Sequence, residues 1–330
     1  MLRLNPEGYL RIPQANNFIA SYAGGEANVA VSLAKYGEDV AFVTYVPDNA
    51  LGESATNAIR HWGVDTKYMF KGGDRLGIYF LEKGASQRAS TVLYDRKESS
   101  IAKSKIGDYD WDKVFEGVDW FHWTGITPAL SDSLAEVCLE ACKKAKEKGI
   151  TISCDLNYRK NLWTRDKAKE VMSKLVPYVD VLIANEEDCK DVFGICAENT
   201  DIDAGELNKD GYVSVAKQVT EKFGCKYVAI TLRGSISASD NKWSAMIYSN
   251  GEYHFAKEYL IHIVDRVGGG DSFGGGLIYG LHNNYSMDKA VEFATAASCL
   301  KQTIENDFNC VSVKEIETLM NGNGSGRVQR

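Results

Sequence analysis

Along most of the chain, short runs of β-branched and aliphatic residues alternate with longer stretches in which apolar residues recur every three or four positions. That is the pattern of parallel strands covered by amphipathic helices. Residues 131–148 show the helical half: Leu134, Val137, Cys138, Ala141 and Ala145 form one apolar stripe, a Ser/Asp cluster opens it and Gly149 closes it. The strand half follows at once in Ile150-Thr151-Ile152-Ser153-Cys154. It recurs in Val179-Asp180-Val181-Leu182-Ile183-Ala184 and in Tyr227-Val228-Ala229-Ile230-Thr231-Leu232, each running into a polar loop. Residues 68–96 break the alternation. Ile78-Tyr79-Phe80-Leu81-Glu82 and Ala89-Ser90-Thr91-Val92-Leu93-Tyr94, joined by the turn-like Lys83-Gly84-Ala85-Ser86, predict consecutive strands and so a small β lid inserted in the main domain. Neither a repeat nor a long linker divides the sequence, so residues 1–330 read as a single α/β domain. In an open sheet of this kind, ligands bind where strands end, so functional side chains belong in the loops that follow the strands.

Composition narrows the partners. A chain of 330 residues that is 44% hydrophobic and 25% charged can bury a large core. A net charge of -7 argues against a nucleic-acid surface, which needs clustered Lys and Arg. No apolar run reaches bilayer length and MLRLNPEGYLRIP lacks the parts of a signal peptide, so a cytoplasmic location with no membrane partner is expected. The eight cysteines are scattered through apolar segments without a C-x-x-C pair, which predicts buried reduced thiols; Cys138 and Cys142 should share one helix face. His61, His122, His254, His262 and His282 have no metal-ligand spacing.

Candidate chemistry sits in five segments. In Val264-Asp265-Arg266-Val267-Gly268-Gly269-Gly270-Asp271-Ser272-Phe273, three glycines let backbone N–H groups converge and a helix start adds its positive dipole, which makes an anion cradle with Asp271 beside it as a candidate base. The alternative is that Asp271 only caps the helix running through Gly274, Leu277, Ile278 and Leu281. Gly24-Gly25-Glu26-Ala27-Asn28 opens another helix and lets backbone and the Asn28 amide approach a polyhydroxy ligand, or is plain turn chemistry. Asp155-Leu156-Asn157-Tyr158-Arg159 offers an acceptor, an amide and a guanidinium after a strand, or a solvated loop. Asn185-Glu186-Glu187-Asp188 could order a magnesium ion through waters, or supply acids to a helix N-terminus. Thr231-Leu232-Arg233-Gly234-Ser235 could hold nucleotide phosphates, or be an ordinary strand-ending turn. No G-x-x-x-x-G-K-[ST] and no protein-kinase H-R-D or D-F-G signature occurs, and Phe273 interrupts any G-x-G-x-x-G at 268–274.

These segments together resemble the ribokinase-like (PfkB-type) carbohydrate kinases over nearly the whole chain. The early Gly-Gly-x-x-x-Asn element of that family matches Gly24, Gly25 and Asn28, and its late Asp-Thr-x-Gly-Ala-Gly-Asp signature matches Asp265 to Asp271. Within the family the chain is similar to the 2-keto-3-deoxygluconate kinases through Glu82-Lys83-Gly84-Ala85-Ser86-Gln87-Arg88, Tyr94-Asp95-Arg96, Asp155-Leu156-Asn157-Tyr158-Arg159 and Asn185-Glu186-Glu187-Asp188.

The resemblance implies a three-layer α/β/α sandwich with a mainly parallel central sheet, and ATP-dependent phosphorylation of a sugar hydroxyl. It implies Asp271 as base and Gly268, Gly269 and Gly270 as anion hole, with Gly24, Gly25, Asn28, Tyr79, Tyr94, Arg96 and Arg159 on the sugar. Asn185, Thr231, Arg233, Gly234, Gly268 and Gly270 would bind ATP, and Asn185 and Asp188 would hold Mg²⁺ through water. A monovalent cation is a further candidate cofactor.

Two arginines near one pocket favour an acidic sugar, because guanidinium–carboxylate pairing is strong and directional. Alternatives are a kinase for a neutral sugar such as fructose or ribose, and a non-catalytic sugar-binding regulator; a base beside the glycine turn favours the enzyme. Exposed lid strands leave edges that a second copy would cover, so a homo-oligomer through the lid is expected. Three features depart from the family pattern: Arg266 replaces a threonine, Asp188 replaces the glutamate of N-x-x-E, and the strand ending in Gly-Glu that precedes the segment matched by residues 1–4 is largely missing. The last predicts a weakened fold.

Overall fold

The computed structural model describes residues 1–185, 187–196 and 209–322. The first half of the chain builds two small sheets. Strands β1 (Leu2–Asn5), β2 (Ile19–Tyr22), β5 (Ile78–Glu82) and β6 (Thr91–Asp95) form a four-stranded sheet in the order β2-β1-β5-β6. Between them in sequence, β3 (Thr44–Val46) and β4 (Met69–Lys71) pair in parallel as a separate ladder. The lid therefore differs from the expectation at its boundaries. Its hairpin is the predicted one, but its other half is the N-terminal β1 and β2, and Met69–Lys71 lies outside it.

The main sheet is seven-stranded, in the order β12-β11-β10-β9-β8-β7 with β13 added on β11. Its strands are β7 (Trp120–Thr124), β8 (Thr151–Asp155), β9 (Val181–Asn185), β10 (Tyr227–Ser235), β11 (Asp240–Ser249), β12 (Glu252–Phe255) and β13 (Tyr259–His262). From β7 to β10 neighbours are parallel, and each crossover is a helix: Asp132–Glu147, Arg165–Leu175 and Lys209–Phe223. β11 to β13 extend the sheet antiparallel.

Alternation along the strands gives each face its own core. Leu182 and Ala184 of β9 pack with the crossover helices, among Leu134, Val137, Met172 and Val219. Val181 and Ile183, one residue out of phase, pack with Phe273, Leu277, Val291 and Ala294 from two helices on the opposite face, Gly269–His282 and Met287–Lys301. Helix, sheet and helix make three layers, as expected. The stripe read at residues 131–148 is the Asp132–Glu147 helix, with the Ser131 hydroxyl accepting from the Leu134 N–H as its cap. Cys138 and Cys142 lie in the core.

Candidate active site

A cavity of about 830 Å³ opens between the lid and the ends of the main strands, and it is lined by residues from Met1 to Asp307. Asp271 stands in it, in the first turn of the Gly269–His282 helix. The cap of that helix is Gly268, at φ 82°, so Asp271 is not a capping residue. Its Oδ2 instead accepts from Asn28 Nδ2 at 2.6 Å, on the Gly25–Lys35 helix. Burial pushes its pKa up to about 6, against the pull of the Asn28 hydrogen bond.

The two helices approach closely because small residues face each other. A side chain at Gly275 would meet Ser32, and one at Gly25 would reach Thr124 and the Asp271 carboxylate. Gly268 is more constrained: besides its positive φ, a Cβ there would be driven into the Asp307 carbonyl oxygen. Gly270 has open space in front of it. The turn is backed by Ser298, whose hydroxyl donates to the Gly269 carbonyl at 2.7 Å.

Two guanidiniums line the cavity without an ion pair among the described residues, although the charge of Arg159 acts on Asp155, Asp188 and Asp271. Arg96 is 8% exposed, stacks over the Tyr94 ring at 4.1 Å, forms no ion pair among the described residues and has an unpartnered Nε. Burial lowers its pKa, as does the positive charge of Arg159. Arg159 is brought in by a tight turn after β8, in which Asn157 takes φ 41° and donates its N–H to Asp155 Oδ1; the Arg159 Nη1 bonds only the neighbouring Tyr158 carbonyl. Gly24, Gly25, Asn28, Tyr79 and Tyr94 line the same cavity. The Tyr79 hydroxyl is already committed to Asp307, at 2.7 Å, so only its ring is free to meet a ligand.

At the other end, Arg233 and Arg266 also lack an ion pair among the described residues, and both line the cavity with Thr231 and Asn185. Arg233 lies over the Trp243 ring, while Arg266 donates to the Ala238 carbonyl and is held below its ordinary pKa by burial and by Arg233.

The end of β10 differs from the expectation. It does not end at Leu232 but runs on to Ser235, because β11 continues to pair with it, and Gly234 sits opposite Lys242 in that ladder. Asp188 is buried; its two oxygens accept from the Tyr158 and Asn185 N–H groups, while Asn185 Oδ1 accepts from those of Glu187 and Asp188. Glu186, in the same loop, lies outside the described residues. Asp155, the acceptor of the 155–159 segment, lines the cavity, and burial, then the charges of Asp188 and Asp271, push its pKa well up. The charge of Arg159 acts on all three of these carboxylates. Among the described residues no cluster of His, Cys, Asp or Glu could hold a metal ion directly.

Residues 3–312 match the pfkB family carbohydrate kinases. The chain belongs to that family. This carbohydrate kinase is 30% identical over 326 residues to the 2-dehydro-3-deoxygalactonokinase of Haloferax volcanii, covering 99% of this chain and 96% of that protein. It superposes on the crystal structure of 2-dehydro-3-deoxygluconokinase from Thermotoga maritima with a TM-score of 0.94 and 52% identity, covering 98% of this chain and 96% of the other. A PfkB family carbohydrate kinase from Listeria grayi gives 0.90 at 35% identity, covering 97% of each chain. No helix among the described residues is long and apolar enough to cross a membrane.

Proposed function

We propose that this carbohydrate kinase transfers the γ-phosphoryl of ATP to a hydroxyl of 2-keto-3-deoxygluconate, with Asp271 as base. The observation that carries the acidic substrate is the pair Arg96 and Arg159: two guanidiniums that form no ion pair among the described residues and line the cavity that holds Asp271, with Arg96 Nε unpartnered. Leaving the buried Arg96 guanidinium desolvated is costly, and a substrate carboxylate that accepts from it recovers that cost. Names of similar proteins support the same class.

Asp271, with its pKa near 6, is ionised at neutral pH yet basic enough to take the hydroxyl proton as the oxygen attacks, and Asn28 fixes the carboxylate for it. The amides of Gly268, Gly269 and Gly270 receive the transferring phosphoryl at the helix start. Thr231, Arg233, Arg266 and Asn185 hold the nucleotide phosphates. Asp188 and Asn185, with Asp155, would orient Mg²⁺ through waters, and the ion when bound neutralises phosphate charge. The lid covers the sugar, and its exposed Ile19 and Leu93 support association of two copies through that layer.

A coupled ADP-release assay over 2-keto-3-deoxygluconate, 2-keto-3-deoxygalactonate, fructose and ribose tests the assignment. Turnover should be confined to the acids; faster turnover of fructose or ribose would overturn it. A single-copy mass in light scattering would remove the lid-mediated oligomer.

A further inference from the structure

Behind the glycine turn lies a buried group of four charges that the proposed reaction does not use. Arg3 and Lys301 are both 0% exposed. Arg3 bridges two carboxylates, Nη2 to Asp265 Oδ2 at 2.5 Å and Nη1 to Asp307 Oδ1 at 2.6 Å. Lys301 has a different partner: its Nζ donates to the backbone carbonyl of Asp265 at 3.1 Å. Asp265 begins the turn, and its carboxylate accepts from the N–H groups of Val267 and Asn306. An ammonium so deep in the protein is unfavourable; burial lowers its pKa, while Asp265 and Asp307 oppose that and Arg3 reinforces it.

The charges balance as they stand, two cations against two carboxylates. Without Lys301 a net negative charge would remain beneath amides that must attract an anion. We propose that Lys301 is a built-in cation of the glycine turn: a positioning residue that holds the Asp265 carbonyl and keeps the ground under Gly268, Gly269 and Gly270 neutral, so that the kinase needs no added monovalent cation. The inference rests on the reading of this turn as the phosphate cradle. The residues do not fit a separate monovalent ion there, because the Asp265 carbonyl is taken by Lys301 and the carboxylates of Asp265 and Asp307 by Arg3.

The test compares wild type, K301A and K301M in KCl and in tetramethylammonium chloride at equal ionic strength. Wild-type turnover of 2-keto-3-deoxygluconate should be the same in both salts; clear activation by K⁺ would overturn the proposal. K301A should lose at least about tenfold in kcat with little change in sugar KM, as expected of a weakened electrostatic cradle. The truncation leaves space beside the Asp265 carbonyl, so K⁺ or NH₄⁺ should restore part of that loss and raise the melting temperature of K301A but not of wild type. K301M, which fills the space with an apolar chain, should be impaired and not rescued. Wild-type kinetics in either variant, or a folded K301A indifferent to K⁺ in both rate and melting, would refute the built-in cation. Wild type inactive on every sugar would refute the kinase reading instead, and the K⁺-dependent melting of K301A would still decide the charge site.

Discussion

Replacing Asp271 with Asn separates a base from a structural residue, and theory gives the change opposite signs for rate and stability. Asparagine keeps the size of the side chain and an oxygen to accept from Asn28 Nδ2, but it cannot take a proton. Turnover should fall by roughly 10²–10⁴. Stability should move the other way. The folded state raises the Asp271 pKa from an ordinary 3.8 to about 6. A carboxyl whose folded pKa is raised contributes nothing below pH ~4, where it is protonated in both states, and costs stability progressively as pH rises through 6. Two pKa units at about 1.4 kcal/mol each set an upper bound of about 3 kcal/mol on that cost at pH 8. Unfolding entropy of about 2 cal/mol/K per residue converts this into a gain of up to about 4 °C for the Asn variant. Scanning fluorimetry of both proteins at pH 8 and pH 5 reads the difference, which should shrink at the lower pH. In the wild type, log(kcat/KM) should rise with pH through an apparent pKa near 6, and this limb should vanish in the variant. An Asp271→Asn protein with near-normal turnover would refute the mechanism. One with low turnover and a lower melting temperature at pH 8 would refute the burial argument.

Arg96→Ala or Arg159→Ala should cost about 1.5–3 kcal/mol of sugar-acid kcat/KM, the value of a charge-assisted contact, with the ATP KM unchanged; unaltered kinetics would remove the carboxylate site. Gly268→Ala should destabilise the fold by about 2 kcal/mol or more, since the new Cβ meets the Asp307 carbonyl at a left-handed φ, whereas Gly270→Ala should melt like wild type yet turn over more slowly; equal melting of the two variants would contradict the packing.

Much of the fold was legible because its elements are locally consistent. The stripe from Leu134 to Ala145 has the period of a helix, and Ser131 and Gly149 punctuate it, so that element falls where the pattern puts it. The lid hairpin was readable for the same reason. What could not be read depended on distant partners. β1 joins the lid through backbone pairing to β2 and β5, and Arg3 is neutralised by carboxylates 262 and 304 residues away; nothing local announces either. The end of β10 was misjudged because Arg233-Gly234-Ser235 looks like a turn, while β11 keeps it extended. Arg266 stood out only as a departure from the family signature. Its place as a second unpaired cation beside Arg233 depends on how β10 and the glycine turn meet in space.

Arg3 also bears on how the lid can move. It lies on the second strand of that sheet and is clamped to Asp265 and Asp307, so swinging the whole lid as a rigid flap would pull two buried ion pairs apart, and losing one partner of such a pair typically costs about 3–5 kcal/mol. The affordable motion is a flexing of the outer strands, β2 on one side and β6 on the other, about a stationary middle of β1 and β5, because Tyr79 of β5 is tied to the same Asp307. Admission and release of sugar would then leave the catalytic turn undisturbed, and the kinase would open like a pair of shutters on a fixed mullion rather than like a hinged cover.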